Sequence, residues 1–66
     1  MNVIINGDAR EVETGVTVVG VLALFGLAPG IVLVQINDEI VNRTRYAETV
    51  LAEGDRVELV RFIAGG

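Results

Sequence analysis

The chain predicts an α+β fold, a small mixed sheet with one main helix packed on one face. Three observations lead there. Short apolar runs with a two-residue period recur at both ends of the 66 residues, the signature of half-buried strands. Between them lies one segment with the spacing of an amphipathic helix. Dipeptides rich in Asn, Asp and Gly separate the runs and mark turns. A lone helix and a small sheet bury their apolar faces most simply against each other.

Asn2 to Asn6 reads as the first strand, with Met1, Val3 and Ile5 on one side and Ile4 on the other. Asn6-Gly7 is a two-residue hairpin signal, because a type I′ turn needs positive φ at both positions. Ala9 to Glu13 returns as the second strand. Its polar residues around Val12 suit an edge position. Thr17 then stands where a hydroxyl can cap a helix, and Val16 and Val21 occupy the hydrophobic-staple positions around it. Val18, Val21, Leu22 and Phe25 share one helical face. Gly26 suits the left-handed residue that ends a helix. Valine is a weak helix former, so packing on the sheet must hold this segment.

Ala28-Pro29-Gly30 is a turn, and Ile31 to Ile36 is an apolar strand interrupted at Gln35. Asn37-Asp38 is a second turn signal, and Ile40-Val41 is long enough only for a small bridge. Asn42 to Thr49 is a polar connection anchored by the ring of Tyr46. Glu53-Gly54-Asp55 turns the chain into a last strand, Arg56 to Phe62. There Val57, Leu59 and Arg61 share one face, and Glu58, Val60 and Phe62 share the other. This order fits a β-grasp arrangement with the first and last strands parallel neighbours in the middle of the sheet. Residues 1–66 form a single domain, with residues 63–66 leaving it as a tail.

Composition narrows the function. The chain lacks His, Cys, Ser and Lys, which supply nearly all nucleophiles and most general bases at neutral pH. A self-contained enzyme is therefore not expected. Without cysteine there are neither disulfides nor thiolate metal sites, and the carboxylate pairs Asp38-Glu39 and Glu53/Asp55 read as turn residues. No metal site is expected. The net charge of −4 opposes nucleic-acid binding, which needs a basic surface, and favours partners with basic docking surfaces. Neither a signal peptide nor a membrane span is expected, which fits a cytoplasmic location.

The most informative feature is the tail, Ile63, Ala64, Gly65 and Gly66. Glycine packs no side chain and loses the most backbone entropy on ordering. Two of them at a terminus offer reach instead. They make a slim, flexible arm whose α-carboxylate can enter a narrow active site. A carboxylate is a poor electrophile until it is activated, for example as an acyl-adenylate. A substrate or carrier fits this better than an enzyme.

With these elements in place, the whole chain resembles the ThiS family of thiamine-biosynthesis sulfur carriers, ubiquitin-like proteins. The resemblance is carried by Asn6-Gly7, Thr17-Val18 with Leu22, Gly26-Leu27, Ile36-Asn37, Ile40-Val41 and Arg43. It continues through Ala47-Glu48-Thr49, Leu51, Gly54-Asp55-Arg56-Val57-Glu58 and Ile63-Ala64-Gly65-Gly66. Asn42 stands where the family often has proline, and Tyr46 where it often has tryptophan. The resemblance implies a carrier with no bound cofactor. A ThiF-like adenylyltransferase would use ATP and magnesium to adenylate Gly66. A cysteine desulfurase would be the indirect sulfur source for a thiocarboxylate there, and a ThiG-like thiazole synthase would take the sulfur into thiazole. A carrier for another pathway, such as molybdopterin synthesis, is the nearest alternative. A non-covalent β-grasp module and a conjugating modifier are others.

The strand pattern carries a docking expectation of its own. If Val3, Ile5, Val57 and Leu59 face the helix, Ile4, Leu33, Val60 and Phe62 face outward. They would form an exposed apolar patch beside the tail, the kind that marks interfaces. Phe62 is the expected aromatic anchor. Arg61 and Ile63 flank it, and Arg61 is placed to pair with an acidic residue of a partner.

Overall fold

The computed structural model describes residues 1–61. Five strands form one sheet: β1 (Asn2–Ile5), β2 (Asp8–Glu11), β3 (Val32–Ile36), β4 (Glu39–Ile40) and β5 (Arg56–Arg61). Their spatial order is β2-β1-β5-β3-β4. β1 and β5 run parallel at the centre and the other neighbours are antiparallel. One helix, α1 (Val18–Leu24), covers one face. The last strand in sequence is therefore the middle strand in space, as the β-grasp reading expects.

Local chemistry explains the turns. Asn6 and Gly7 have φ of 50° and 86°, and Asn37 and Asp38 have 51° and 72°. These are the left-handed pairs that a tight hairpin requires, so β1–β2 and β3–β4 each close through two residues. β2 begins at Asp8, directly after the turn, and ends at Glu11, two residues before the expected Glu13. It is an edge strand with every residue exposed, and Val12 just beyond it is buried.

The helix starts and stops as its caps dictate. Thr17 Oγ1 accepts a 3.1 Å bond from the Gly20 N–H. A Cβ on Gly20 would come within 2.9 Å of Val16 Cγ2, so the staple valine requires glycine in mid-helix. At the other end the Gly26 N–H bonds to the Ala23 carbonyl and the Leu27 N–H to the Leu22 carbonyl. With Gly26 at φ 67°, this is a Schellman stop. The stop corrects the expected apolar face. Val18, Val21 and Leu22 are buried, but Phe25 is the C-cap residue and stays exposed. The Arg10 guanidinium lies 5.2 Å from its ring centroid, a cation–π contact at the surface.

The core joins the helix to the sheet: Val18, Val21 and Leu22 against Val3, Ile5, Val32, Val34 and Val57. Val12, Tyr46 and Leu51 close its margins. Ile31 lies in a short 3₁₀ turn, Pro29–Ile31, and is exposed, so β3 starts one residue later than the apolar run does. Within the expected polar connection, Arg43–Arg45 forms another 3₁₀ turn capped by Asn42. Tyr46 anchors that connection, and by more than its ring. Its hydroxyl donates to the Val32 carbonyl at 2.9 Å and accepts from the Val34 N–H at 3.2 Å. Val41 N–H takes the Val34 carbonyl, and β4 reaches no further along β3. The phenol thus supplies the next rung, where buried peptide groups would otherwise lack partners.

Candidate functional site

The candidate site is the end of β5 from which residues 62–66 continue. Val57 is buried, Leu59 is half-buried against the core, and Glu58 and Val60 are exposed on the opposite face. This is the expected alternation. Phe62, Ile63, Ala64, Gly65 and Gly66 lie outside the described residues, so the anchor and tail readings rest on sequence.

Two asparagines fasten β5, one at each end and one from each side. On the β3 side the Asn37 N–H donates to the Arg56 carbonyl at 2.8 Å, and Asn37 Oδ1 accepts from the Arg56 N–H at 3.0 Å. Asn37 Nδ2 also reaches Asp55 Oδ1 at 3.0 Å. On the β1 side the Asn6 N–H donates to the Val57 carbonyl at 2.9 Å. Asn6 Oδ1 then accepts from the Leu59 N–H at 2.8 Å, with Nδ2 3.4 Å from the Leu59 carbonyl. The turn signals were legible in the sequence. Their side-chain bonds to β5, 53 residues on from Asn6 and 19 from Asn37, were not.

The register divides the expected patch. Leu33 lies opposite Val60 across the β3–β5 ladder, so these two form an apolar pair at the tail end of the outer face. Val60 is 48% exposed. Ile4 is exposed on the same face, but it pairs with Arg56. It therefore sits four residues along β5 from Val60, roughly 13 Å at about 3.3 Å per residue. Glu58 and its partner Gln35 lie between. Ile4 is thus separate from the Leu33–Val60 pair. Arg61 is exposed at the end of β5, opposite Val32, and among the described residues it meets no carboxylate.

Little charge is fixed near this end. The Arg56–Asp38 pair, 3.0 Å apart, lies at the far end of β5 with both side chains more than half exposed, where such pairs contribute little. Among the described residues no group of three or more His, Cys, Asp and Glu side chains could hold a metal ion. No helix among them is long and apolar enough to cross a membrane. Chemically, the described part of the site presents a strand end and an apolar pair.

Comparison with known proteins places these features in a family context. Residues 3–66 match the family model described as the ThiS family. The sulfur carrier protein ThiS of Bacillus subtilis is 41% identical over 54 residues, covering 82% of this chain and 80% of that protein. A thiazole synthase of Magnetococcus marinus is 41% identical over 66 residues, all of this chain and 20% of that protein. The chain thus spans about a fifth of the length of the thiazole synthases it matches. The crystal structure of the thiamine biosynthesis protein ThiS from Geobacter metallireducens superposes with a TM-score of 0.84 at 30% identity, covering both chains in full.

Proposed function

The chain belongs to the ThiS family, and on that premise we propose that it is a sulfur carrier for thiazole formation in thiamine biosynthesis, with Gly66 as the loaded residue. The observation that carries this is the family match itself, which runs through residue 66 and so includes the diglycine. Residues 1–66 act as one carrier domain. The chain is a co-substrate, and its partners perform the catalysis.

The chemistry follows from what a carboxylate lacks. The Gly66 carboxylate attacks the α-phosphorus of ATP on a ThiF-like enzyme, and pyrophosphate leaves. The acyl-adenylate now carries a good leaving group. A persulfide sulfur supplied through a cysteine desulfurase attacks the carbonyl carbon, and AMP departs. A thiol then attacks the donor cysteine's sulfur of that acyl disulfide, forming a new disulfide with it and releasing the thiocarboxylate. A ThiG-like thiazole synthase then takes the sulfur. ATP and magnesium belong to the activating enzyme. Ala64, Gly65 and Gly66 present no side chain larger than a methyl to the channel.

Docking is assigned to the outer face at the tail end of β5: Leu33, Val60 and Arg61, with Phe62 as the aromatic anchor and Ile63 beyond it. Ile4 belongs to the same face but lies outside this cluster. The support is the cross-strand pairing of Leu33 with Val60 and the exposure of Val60 three residues before the tail begins at Ile63. Val60→Asp places a charge on that apolar pair without entering the core. It is expected to raise the KM for the carrier about tenfold or more, the effect of losing a central contact, with the melting temperature nearly unchanged. Steady-state adenylation at varied carrier concentration checks this, and an unchanged KM removes the face from the docking surface.

The test of the carrier function is intact mass spectrometry. The protein is incubated with ATP, magnesium, cysteine, a cysteine desulfurase and a ThiF-like enzyme. The expected result is a mass gain equal to replacing one carboxyl oxygen by sulfur, localised to Gly66. No gain with a demonstrably active cognate enzyme points instead to a non-covalent β-grasp module. A loaded chain that a thiazole synthase cannot discharge points to another sulfur pathway, such as molybdopterin synthesis.

A further inference from the structure

We infer that Asn6 is a positioning residue for the strand that leads to the tail, holding the β1 side of β5 as far as Leu59. The inference rests on the carrier function proposed above and adds a part to it. β1 ends at Ile5, paired with Val57, and the chain then turns away through Asn6-Gly7. Two further residues of β5 pass before anything near the tail is reached. The next peptide that faces the β1 side is that of Leu59, because successive peptides of a strand point to alternate sides. The strand that would have paired with it is gone. The Asn6 side-chain amide takes the vacant place, with Oδ1 accepting from the Leu59 N–H at 2.8 Å and Nδ2 near the Leu59 carbonyl at 3.4 Å. One carboxamide thus imitates one further peptide of β1.

On that side of the sheet, the Leu59 bond is the last one to β5 among the described residues. Beyond it only β3 holds the strand, through the pairs that place Leu33 against Val60 and Val32 against Arg61. Asn6 therefore extends the hold on the β1 side of β5 from Val57 to Leu59, so that the strand is gripped from both sides to within two residues of Arg61. Glycine would satisfy the turn alone, since φ at residue 6 is 50°, a value that glycine adopts freely. Asparagine satisfies the turn and the strand together.

The test separates turn, stability and tail. Asn6→Gly keeps the turn and removes both side-chain contacts. Asn6→Asp keeps an oxygen facing the Leu59 N–H. Asn37→Gly removes the equivalent bond at the far end of β5, where Asn37 Oδ1 meets the Arg56 N–H, and serves as the control for stability. Hydrogen exchange followed by NMR is the first readout. Asn6→Gly is expected to lower Leu59 amide protection about tenfold, the scale of one lost hydrogen bond, with Asn6→Asp restoring most of it. Asn37→Gly is expected to act on Arg56 and spare Leu59. The second readout is adenylation by a ThiF-like enzyme at a temperature where all variants are folded. Asn6→Gly is expected to raise KM about fivefold with kcat within about twofold, because the enzyme must now order the strand end itself. Unchanged Leu59 protection in Asn6→Gly overturns the inference. So does an equal rise in KM for Asn37→Gly, which would make the effect one of general stability. If the unaltered protein is not adenylated at all, the carrier function fails. The exchange data then still decide whether Asn6 fixes the strand end.

Discussion

Tyr46→Phe is expected to destabilise the domain by about 2–3 kcal/mol and to lower its melting temperature by roughly 10–20 °C. The ring stays, so packing is nearly conserved. Only the hydroxyl goes, and with it the bonds to the Val32 carbonyl and from the Val34 N–H. Both peptide groups are buried at the margin of β3, where β4 has already ended. Leaving a buried donor or acceptor unpaired costs about 1–3 kcal/mol. A domain of this size has a total stability of roughly 3–10 kcal/mol, so the loss takes a large share of it. Urea or thermal unfolding followed by circular dichroism measures it. A shift below about 1 kcal/mol would mean that water replaces the phenol at little cost. Tyr46→Trp is a useful companion, because an indole N–H can donate to Val32 but cannot accept from Val34.

Gly66→Leu has the opposite profile. The fold should be unaffected and carrier activation should fall by about a hundredfold or more, the scale on which misplaced reacting atoms lose rate. In the proposed mechanism, the side chain widens the arm beside the carboxylate that attacks the α-phosphorus of ATP. Thiocarboxylate formation by mass spectrometry, alongside a melting curve, tests both halves. Activation at the normal rate with an unaltered melting curve would show that the channel does not select on width.

What the sequence disclosed depended on the range of the interaction. Asn6-Gly7, Thr17 and Gly26 act within a few residues of themselves, and each adopts the turn or cap its chemistry predicts. The parallel pairing of the first and last strands was expected from the β-grasp arrangement, with which the apolar Val3, Ile5, Val57 and Leu59 agreed, and the structure shows it. Phe25 shows the limit of periodicity. It has the right spacing for the core, yet the Gly26 stop ends the helix before the last turn can carry it inward. Register was illegible for a similar reason. Alternation tells which face Ile4 occupies but not how far along β5 it lies, and the pairing with Arg56 sets it apart from Val60. The hydroxyl of Tyr46 and the carboxamides of Asn6 and Asn37 were recognisable as polar groups, but the strands they complete are distant in sequence. For the candidate site, the Leu33–Val60 pair is seen in three dimensions, while Gly66 itself rests on sequence and family.

The central position of β5 also governs the order of assembly. Before this strand is in place the chain can form two hairpins, β1–β2 and β3–β4, with no ladder between them. A two-stranded hairpin is marginal in water, and the β1–β5 pairing that joins the two halves links residues 52 positions apart, such as Ile4 and Arg56, which makes its formation slow. A nascent chain that has not yet emerged past Arg56 therefore has no sheet to fold into. The strand that completes the domain is the same one that leads to Gly66. On the docking and loading proposed above, a partner enzyme would therefore act only on chains whose sheet is already complete.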